Sequence, residues 1–428
     1  MKKLPFLLIA ACLLIIIHGC NVDEENEPIG IIGQSDAITD YISEDYALQI
    51  ANQFAASYDA FAVGSRSSNR RASSRSNIVS SDSYSRAAAS PFYIVNYDDG
   101  MGFMILSRKN IECPILAFIP EGTYSAAEYA NHDGLNFFLA CAEDYVNESD
   151  VLVNNNNVSR ATVYKPQDII KEKSVLPLIP VVWNQKGVFG NLCPNKTAGC
   201  IPIALAQIFT VLRPFNTLQL TYNSIPDLND ELDVEWDSLI RYYHASYRYL
   251  SLFEEESKDG PLKIYVDSIS GTPYDYYRIG AMIREIGQRV EAQYHMADSL
   301  TTATWDNTIY ALRYEFGLEN TSDTMSLASN IDKLQTLIDA GRPVLMAGNV
   351  VLKDTNSPHN IEVTELYGHA WACDGYLTIR AGVKMIRQTM FHCNWGEQRS
   401  NGYFSKEAFN SNSASTSLRK VSFISISK

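Results

Sequence analysis

Beyond residue 163 the chain changes once from helical to strand-like periodicity, and this order limits the folds that it can adopt. Apolar residues recur at helical spacing in three segments, 201–212, 276–290 and 327–340. The last third carries strand patterns instead, at 344–350, 370–377, 385–394, 402–404 and 418–427. Helices followed by strands favour an α+β fold with an antiparallel sheet over alternating βαβ units. We therefore expect two lobes, one helical and one built on the sheet.

Residues 38–153 have the pattern of a separate, smaller α+β domain. It should contain helices over 43–60 and 125–146, a hairpin of 92–95 with 103–106, and a strand over 114–118. The Ser/Arg-rich segment 64–90 has few large apolar side chains, so we expect it to be an exposed, disordered loop. A polar run over 153–162 is the predicted linker. The second domain is then expected over 154–428.

The first twenty residues have the pattern of a targeting segment. Lys2 and Lys3 precede an apolar run of 13 residues, which suits a signal peptide and is too short to span a bilayer. The run ends at Gly19-Cys20, which resembles the lipobox of bacterial lipoproteins. We expect residues 1–20 to be a signal peptide, Cys20 to be lipidated at the outer membrane or cell surface, and 21–37 to be a tether. The alternative is an ordinary cleaved signal and a secreted or periplasmic protein.

Charge and cysteine content exclude several classes of function. The formal net charge of −14 leaves no basic face for nucleic acid. Eight cysteines show neither a regular disulfide framework nor a CxxC zinc pattern, so we expect no metal and no cofactor. Cys193 is predicted to be a packed or free thiol.

Cys200 begins an apolar segment with a helical pattern. Gly199 suits a tight entry, and Pro202 is tolerated only in the first turn of a helix. Cys200 is therefore predicted to lie at a helix N-terminus, where free N–H groups and the helix dipole lower the pKa of a thiol. A cysteine among Ala, Ile and Leu is more often a buried packing residue, so this segment alone leaves both interpretations open.

Three further segments carry residues that a reactive cysteine can use. His369 follows Gly368 at the start of a strand, and the glycine leaves room for a group to approach the imidazole. Asn394 at a strand end can fix the tautomer of a histidine, and Trp395 can shield that hydrogen bond. Gln185, fifteen residues before the cysteine, can donate its amide to an oxyanion. Each alone also has an ordinary structural interpretation.

In chain order these residues, Gln, Cys, His and Asn-Trp, resemble the streptopain family of cysteine peptidases in the papain-like clan. The similar segments are NQKGVFGNLCP, AGCIPIALAQI, GHAWACDGY and FHCNWG. The N-terminal region is similar to the family's propeptide in ALQIANQFAA and FYIVNYDDGMGFMILSRK. The resemblance implies a papain-like catalytic domain and a cysteine endopeptidase made as a zymogen. Its partners would be protein or peptide substrates and its own propeptide, acting as an intramolecular inhibitor.

The resemblance also implies a role for each residue. Cys200 would attack the scissile carbonyl and form a thioester acyl-enzyme. His369 would take the thiol proton and later donate it to the leaving amine. Asn394 would orient His369, Trp395 would shield that pair, and Gln185 would hold the oxyanion with the backbone N–H of Cys200.

One departure leaves substrate preference open. The family continues Asn-Trp-Gly with a second Trp and further Gly residues, whereas this chain has EQRSNG at 397–402, which would border the substrate cleft. Two other functions compete: a catalytically silent surface-binding lipoprotein, and an amidase or acyltransferase using the same residues. The intact set of catalytic residue types weighs against the first. The propeptide-like domain weighs against the second.

His392 is a rival general base. It alternates with Asn394 and so shares its strand face, but it lacks the glycine neighbour of His369. If His369 and Asn394 face one cleft, Cys373 and Cys393 point to opposite sides. We then expect no disulfide between these two cysteines.

We predict a latent precursor that is cut in an exposed polar segment, because little structure must open there before a protease can bind. The candidate segments are 64–90 and 153–162, and the active enzyme should begin between about residues 154 and 175. N-terminal sequencing of the active species measures this position. Full activity with residues 38–153 still covalently attached and bound would mean that this region is not a propeptide.

Overall fold

Helices come first and the main strands last in the second half of the chain, as predicted. The computed structural model describes residues 40–59, 70–80, 90–130, 132–149, 169–221, 231–244, 273–352, 367–381, 386–397, 399–410 and 417–428. The predicted signal peptide with Cys20, the tether and the linker at 153–162 lie outside the described residues. Within the ranges given, no helix is both long enough and apolar enough to cross a membrane.

The helices form two groups along the chain. The N-terminal helices are α1 (Glu44–Asp59), α2 (Ala126–Tyr129) and α3 (Asp133–Glu148). The later helices are α4 (Cys200–Leu212), α5 (Trp236–His244), α6 (Pro273–Arg289), α7 (Trp305–Tyr310), α8 (Ile331–Asp339) and α9 (Lys406–Phe409). The helix predicted over 125–146 is thus two helices. The helix predicted from 327 begins at Ile331, because Leu327 continues the pairing with the strand Ser417–Ser425 (its N–H bonds the Val421 carbonyl at 3.0 Å) and the chain then turns, with the Asn330 N–H bonded to the Leu327 carbonyl at 3.1 Å.

Most of the strands are long enough to pair over several residues. Those before α4 are β1 (Ile78–Ser80), β2 (Phe92–Asn96), β3 (Phe103–Ser107), β4 (Ile115–Ile119) and β5 (Ile170–Val175). Short strands follow: β6 (Thr217–Gln219), β7 (Glu231–Asp233), β8 (Gln293–Tyr294), β9 (Thr301–Thr302) and β10 (Met325–Ser326). The last are β11 (Val344–Leu352), β12 (Tyr367–Ala381), β13 (Ile386–Asn394), β14 (Gly402–Ser405) and β15 (Ser417–Ser425). The strands predicted over 344–427 are present as β11–β15.

One antiparallel sheet runs through both predicted domains. Its order among the described strands is β1-β2-β3-β4-β14-β13-β12-β11-β15-β10, with β5 also paired to β12. The N-terminal strands join the C-terminal ones where β4 pairs with β14, at Phe118–Tyr403 and Ala117–Phe404. The described residues after Thr39 belong to one compact unit. The boundary at 153/154 stays a prediction.

The two faces of β12 pack against different helices. Because side chains alternate along a strand, Ala370 and Ala372 join the core that contains α4 and α6. Trp371 and Cys373 join the core that contains α3. The strand that carries His369 is therefore covered by the helical lobe on one face and by the N-terminal domain on the other.

The prediction of a disordered loop over 64–90 is wrong for its middle part. Arg70 forms an ion pair with Asp59 of α1, and it also donates to the carbonyl oxygens of Met101 (3.0 Å) and Pro120 (3.2 Å). Ala72 is buried and exchanges hydrogen bonds with Asn52, and β1 pairs with β2. Hydrogen bonds to atoms far away in the sequence order this segment. A count of its apolar residues does not reveal such bonds.

Arg70→Ala should destabilise the full-length chain by about 3 kcal/mol, because it removes the guanidinium that neutralises the Asp59 carboxylate at a site that is only 13% exposed. Arg71→Ala is the matched control, since Arg71 is exposed and next in the chain. Urea unfolding of both variants, made in a Cys200→Ala background to prevent proteolysis, measures the difference. Equal stability of the two variants would contradict the ordered arrangement of residues 70–80.

Candidate active site

Cys200 is the first residue of α4, as predicted. Gly199 before it has φ +91°, which favours glycine, and a Cβ there would lie 2.7 Å from a side-chain carbon of Thr301. Pro202 lies in the first turn, where no N–H is needed. Glycine and proline thus start the helix at the cysteine.

The thiol of Cys200 is held in its protonated form. Burial raises its pKa above the ordinary value, although the backbone N–H groups of Ala370, Ile201 and Cys200 lie near the sulfur and lower it. The nearby carboxylate of Asp133, from α3 of the N-terminal domain, raises the pKa further. The prediction of a lowered thiol pKa is therefore wrong for this covered state, because desolvation outweighs the helix N-terminus.

Gln185 lies beside the entry to α4. Its carbonyl accepts the Ala198 N–H at 2.8 Å, two residues before the cysteine. The strand-like segment leading to it is fixed by side chains of the helical lobe and the sheet: Gln207 accepts the Trp183 N–H at 3.0 Å, and Asn394 donates to the Val181 carbonyl at 3.1 Å. The backbone of Gln185 therefore lies beside the segment that leads into Cys200, and the predicted role of its amide stays a prediction.

The imidazole of His369 is buried at 5% exposure and held in one tautomer. Its Nε2 lies 3.0 Å from the carbonyl oxygen of Trp395. A carbonyl oxygen only accepts, so Nε2 carries the proton and Nδ1 is left as the basic nitrogen. Burial lowers the pKa of His369, so the ring is kept neutral.

His369 lies on the α3 side of the sheet with two tryptophans. Its ring is stacked with Trp371 at 6.5 Å between centroids and 13° between planes, and Trp395 is 5.9 Å away. Cys200 instead lies on the α4 side, near the Ala370 N–H. Within the part of the chain that the structure describes, no hydrogen bond joins Sγ to the imidazole. Cys200 and His369 are thus neighbours whose side chains are not paired.

Asn394 does not hold the imidazole in this structure. Its Nδ2 donates to the Val181 carbonyl, and its Oδ1 accepts the Gly396 N–H at 3.3 Å. The contact predicted for its side chain is made by the Trp395 carbonyl. Asn394 pairs with Ala372 across β12 and β13, and Ala372 faces α4, so Asn394 and His369 do not share a face.

This register also corrects the prediction for the two nearby cysteines. Cys373 and Cys393 are direct cross-strand partners and face the same side, because the assumption that His369 and Asn394 share a cleft is wrong. Both are free thiols in the structure. Burial raises the pKa of each well above its usual value, so both thiols stay protonated.

The contacts of His392 and Gly368 differ from those that the sequence suggested. His392 donates from Nδ1 to Asp374 at 2.6 Å, and the second Asp374 oxygen accepts the Ile179 N–H at 2.8 Å. His392 is thus part of the support for the segment leading to Gln185. Gly368 makes room for Asn349 rather than for the nucleophile, since a Cβ there would lie 2.8 Å from Asn349 Oδ1.

Helix α3 of the N-terminal domain covers the His369 face. A Cβ on Gly134 would lie 2.7 Å from the ring of Trp395, so only glycine lets the helix approach this closely. Phe137 packs on Trp371 at 5.5 Å and fills the space above Gly348, the cross-strand partner of His369. Sequence reasoning missed these residues; the one signal was a glycine inside a predicted helix.

Glu397 belongs to the segment 397–402 that follows Asn-Trp-Gly, called the site loop below, and it connects this loop to α3. Its Oε2 accepts the Gly134 N–H at 3.1 Å and lies 4.0 Å from Nδ1 of His132, and the side chain is 12% exposed. Burial raises the pKa of Glu397 to about 8, and the charge of Asp133 adds to the shift. No cluster of three or more His, Cys, Asp or Glu suited to a metal is found among the residues that the structure covers.

A helix-terminal thiol, a neighbouring histidine and a covering N-terminal domain define a cysteine peptidase that is kept latent by part of its own chain. Residues 183–404 match the family model described as the peptidase C10 family, and residues 39–146 match that of the Spi protease inhibitor. The chain therefore belongs to the peptidase C10 family, the streptopain family, and is a papain-like cysteine protease with an inhibitory propeptide.

Two solved structures are also similar. A fragment of prointerpain A from Prevotella intermedia, carrying a Cys-to-Ala mutation, has 17% sequence identity and a TM-score of 0.48, and the match covers 77% of this chain and 94% of that chain. Active wild-type interpain A from the same organism has 16% identity and a TM-score of 0.38, over 60% and 98% of the two chains. No curated protein matches this chain.

The raised pKa of Glu397 makes docking of α3 depend on pH. Docked, the carboxyl has a pKa of about 8, against an ordinary 4.5, so docking is most favourable below the ordinary value and is weakened as pH rises through about 8. As pH rises, the free energy of unfolding should fall less in Glu397→Gln than in the parent chain, because an amide still accepts the Gly134 N–H but does not ionise. Denaturant unfolding of Cys200→Ala chains from about pH 5 to about pH 8 measures it.

The exposed Glu319→Gln variant is the control, and it should keep the pH slope of the parent chain. Parallel curves for Glu397→Gln and the parent would show that this carboxyl does not couple docking to pH.

Proposed function

We propose that this peptidase is an endopeptidase in which Cys200 is the nucleophile and His369 the general base. The observation that carries the proposal is the position of the sulfur: it lies at the N-terminus of α4 against the Ala370 N–H, one residue after His369. The backbone of Gln185 bonds the Ala198 N–H, two residues before the cysteine, which supports a role for its amide beside the thiol. Asn394 and Trp395, at the end of β13, complete the proposed site.

The proposed reaction begins when the imidazole leaves the Trp395 carbonyl and reaches the thiol. Nδ1 of His369 takes the proton, and Sγ of Cys200 attacks the scissile carbonyl carbon. The oxyanion is held by the Gln185 amide and the Cys200 N–H, one of the helix donors without an intrahelical partner. His369 then protonates the leaving amine, and water hydrolyses the thioester.

Latency follows from the same geometry. With α3 in place, burial keeps both Cys200 and His369 neutral, and the Asp133 carboxylate disfavours a thiolate. Removing the helix would rehydrate the imidazole, take the Asp133 carboxylate away from the thiol and free the imidazole to turn. We propose that residues 38–153 are the propeptide and 154–428 the catalytic domain. Because β5 (Ile170–Val175) pairs with β12, the activating cut should fall before it, which narrows the start of the mature enzyme to about 154–169.

We also propose that the protein is exported, with a lipid on Cys20 that anchors it at the outer membrane or the cell surface. The support is the sequence of residues 1–20, with two lysines, a short apolar run and Gly19-Cys20. If Cys20 is not lipidated, the expected product is secreted or periplasmic.

The competing functions make different demands on the site. A silent binding lipoprotein needs no reactive thiol, and an amidase or acyltransferase needs no protein-sized cleft. Hydrolysis of casein or gelatin by the processed protein, blocked by a thiol reagent, supports the endopeptidase. Binding without hydrolysis would favour the silent protein, and turnover of small amides alone would favour the amidase.

Substitutions in the site should divide by role. Cys200→Ala should abolish hydrolysis and keep the fold, because Ala is well tolerated in a helix. His369→Ala should cost about as much, since the two residues act as a unit. Gln185→Ala should lose about 10²–10³ in turnover, as for other single oxyanion donors, and Asn394→Ala should cost less than His369→Ala. Steady-state kinetics on casein-derived peptides measure all four.

Cys193→Ala is the matched control, because Cys193 is a free, buried thiol near the same helix. It should keep most activity. An inactive Cys193→Ala beside an active Cys200→Ala would reverse the assignment of the nucleophile.

A further inference from the structure

Glu128 of the N-terminal domain forms an ion pair with Arg399 of the site loop. Nη1 of Arg399 donates to Oε1 of Glu128 in α2 at 2.6 Å. The carbonyl oxygen of Arg399 also accepts the Tyr129 hydroxyl at 2.9 Å. Both the head group and the backbone of Arg399 are therefore engaged by the segment that must leave on activation.

The loop presents Arg399 in a fixed conformation. Its φ is +65°, a left-handed value that non-glycine residues adopt at a cost and that is often kept at functional positions. Asn401 in the same loop accepts the Trp395 N–H at 2.9 Å, and Ser400 is fully buried. The guanidinium is thus carried on a short segment that is tied to Trp395, the residue whose carbonyl holds His369.

A cavity of about 560 Å³ is lined by Arg399 and by one residue of the proposed site, Asn394. Its catalytic-domain wall includes Asn394, His392 and the segment 177–182 that leads to Gln185. Its other wall is Ile119, Pro120 and Glu121 of the N-terminal domain. When that domain leaves, the cavity becomes an open groove with Arg399 on its rim and Asn394 inside it.

The charges across this boundary are complementary. The catalytic side contributes Arg399 and Lys186, which is next to Gln185, and the N-terminal side contributes Glu128, Glu121 and Asp133. Burial lowers the pKa of His132, the charges of Glu128 and Asp133 raise it, and those of Arg399 and Lys186 lower it, so charges from both sides of the boundary act on this residue. The chain as a whole is acidic, with a net charge of −14, so a pair of cations on one side of this boundary departs from its overall charge.

We propose that Arg399 is a specificity-determining residue, which in the mature enzyme binds the carboxylate of an acidic side chain in a protein substrate at the place that Glu128 occupies in the precursor. The inference rests on the proposed function, since it needs a catalytic domain freed from its N-terminal domain. When Glu128 leaves, the guanidinium of Arg399 loses its carboxylate partner. Its five N–H donors are then available to a substrate, and the loop still fixes where they point. A substrate Glu or Asp restores the charge-assisted hydrogen bond that the precursor makes internally.

The test uses the processed, mature enzyme and peptide series in which Glu, Gln or Lys is placed at each position around the scissile bond. The Arg399–Glu128 pair is half-exposed, so the expected preference for Glu over Gln at one position is about three- to fivefold in kcat/KM, and it should shrink with added salt. Arg399→Gln should abolish that preference, and Arg399→Glu should shift it toward Lys. Arg387→Gln is the control, because Arg387 is an exposed cation that pairs with Glu172 of β5, and it should leave the preference unchanged.

Hydrolysis of the Gln peptides reports the catalytic residues by themselves, so the two proposals can fail separately. Normal hydrolysis of Gln peptides with no acidic preference at any position, or with a preference that survives Arg399→Gln, overturns the role of Arg399. A preference lost in Arg399→Gln and kept in Arg387→Gln supports it.

Discussion

The close approach of α3 to the His369 face of the sheet is the contact on which the latent state depends. It is possible because residue 134 is glycine, which lets the helix touch the ring of Trp395. Phe137 then covers Trp371, and the Gly134 N–H finds its acceptor in Glu397. Since the Trp395 carbonyl holds His369, the helix that covers the tryptophan also covers the histidine. The same packing contact thus fixes the tryptophan whose carbonyl holds the imidazole.

The inhibitory domain is built into the core of the protein rather than laid on its surface. Its β4 extends the main sheet by pairing with β14, and its Phe138 packs on Phe404 and Phe409 of the catalytic region at 4.7 and 5.4 Å. Burial of this apolar surface stabilises the covered state. Cutting the chain removes the covalent link but not these contacts, so undocking is a separate step in activation. The same burial keeps the imidazole of His369 neutral, and the Asp133 carboxylate of the same domain disfavours a thiolate at Cys200.

Much of the fold and of the candidate site could be predicted from local pattern. Helical periodicity located α1, α4 and α6, alternation located β11–β15, and a Gly-Cys-x-Pro order placed Cys200 at a helix start. Prediction failed where the partner is remote in sequence. The order of residues 70–80 depends on Asp59 and on distant carbonyls, and the break between α2 and α3 was not predicted from the pattern.

The sequence by itself determined the class of chemistry: the residue types, their chain order and the helix that carries Cys200 all follow from short segments whose physics is local. Only the tertiary structure decided which groups meet. The register of β12 on β13 put His369 and Asn394 on opposite faces and paired Cys373 with Cys393. It also decided that the thiol pKa is raised, because desolvation comes from residues far along the chain. A helix dipole is encoded locally, whereas burial belongs to the whole fold.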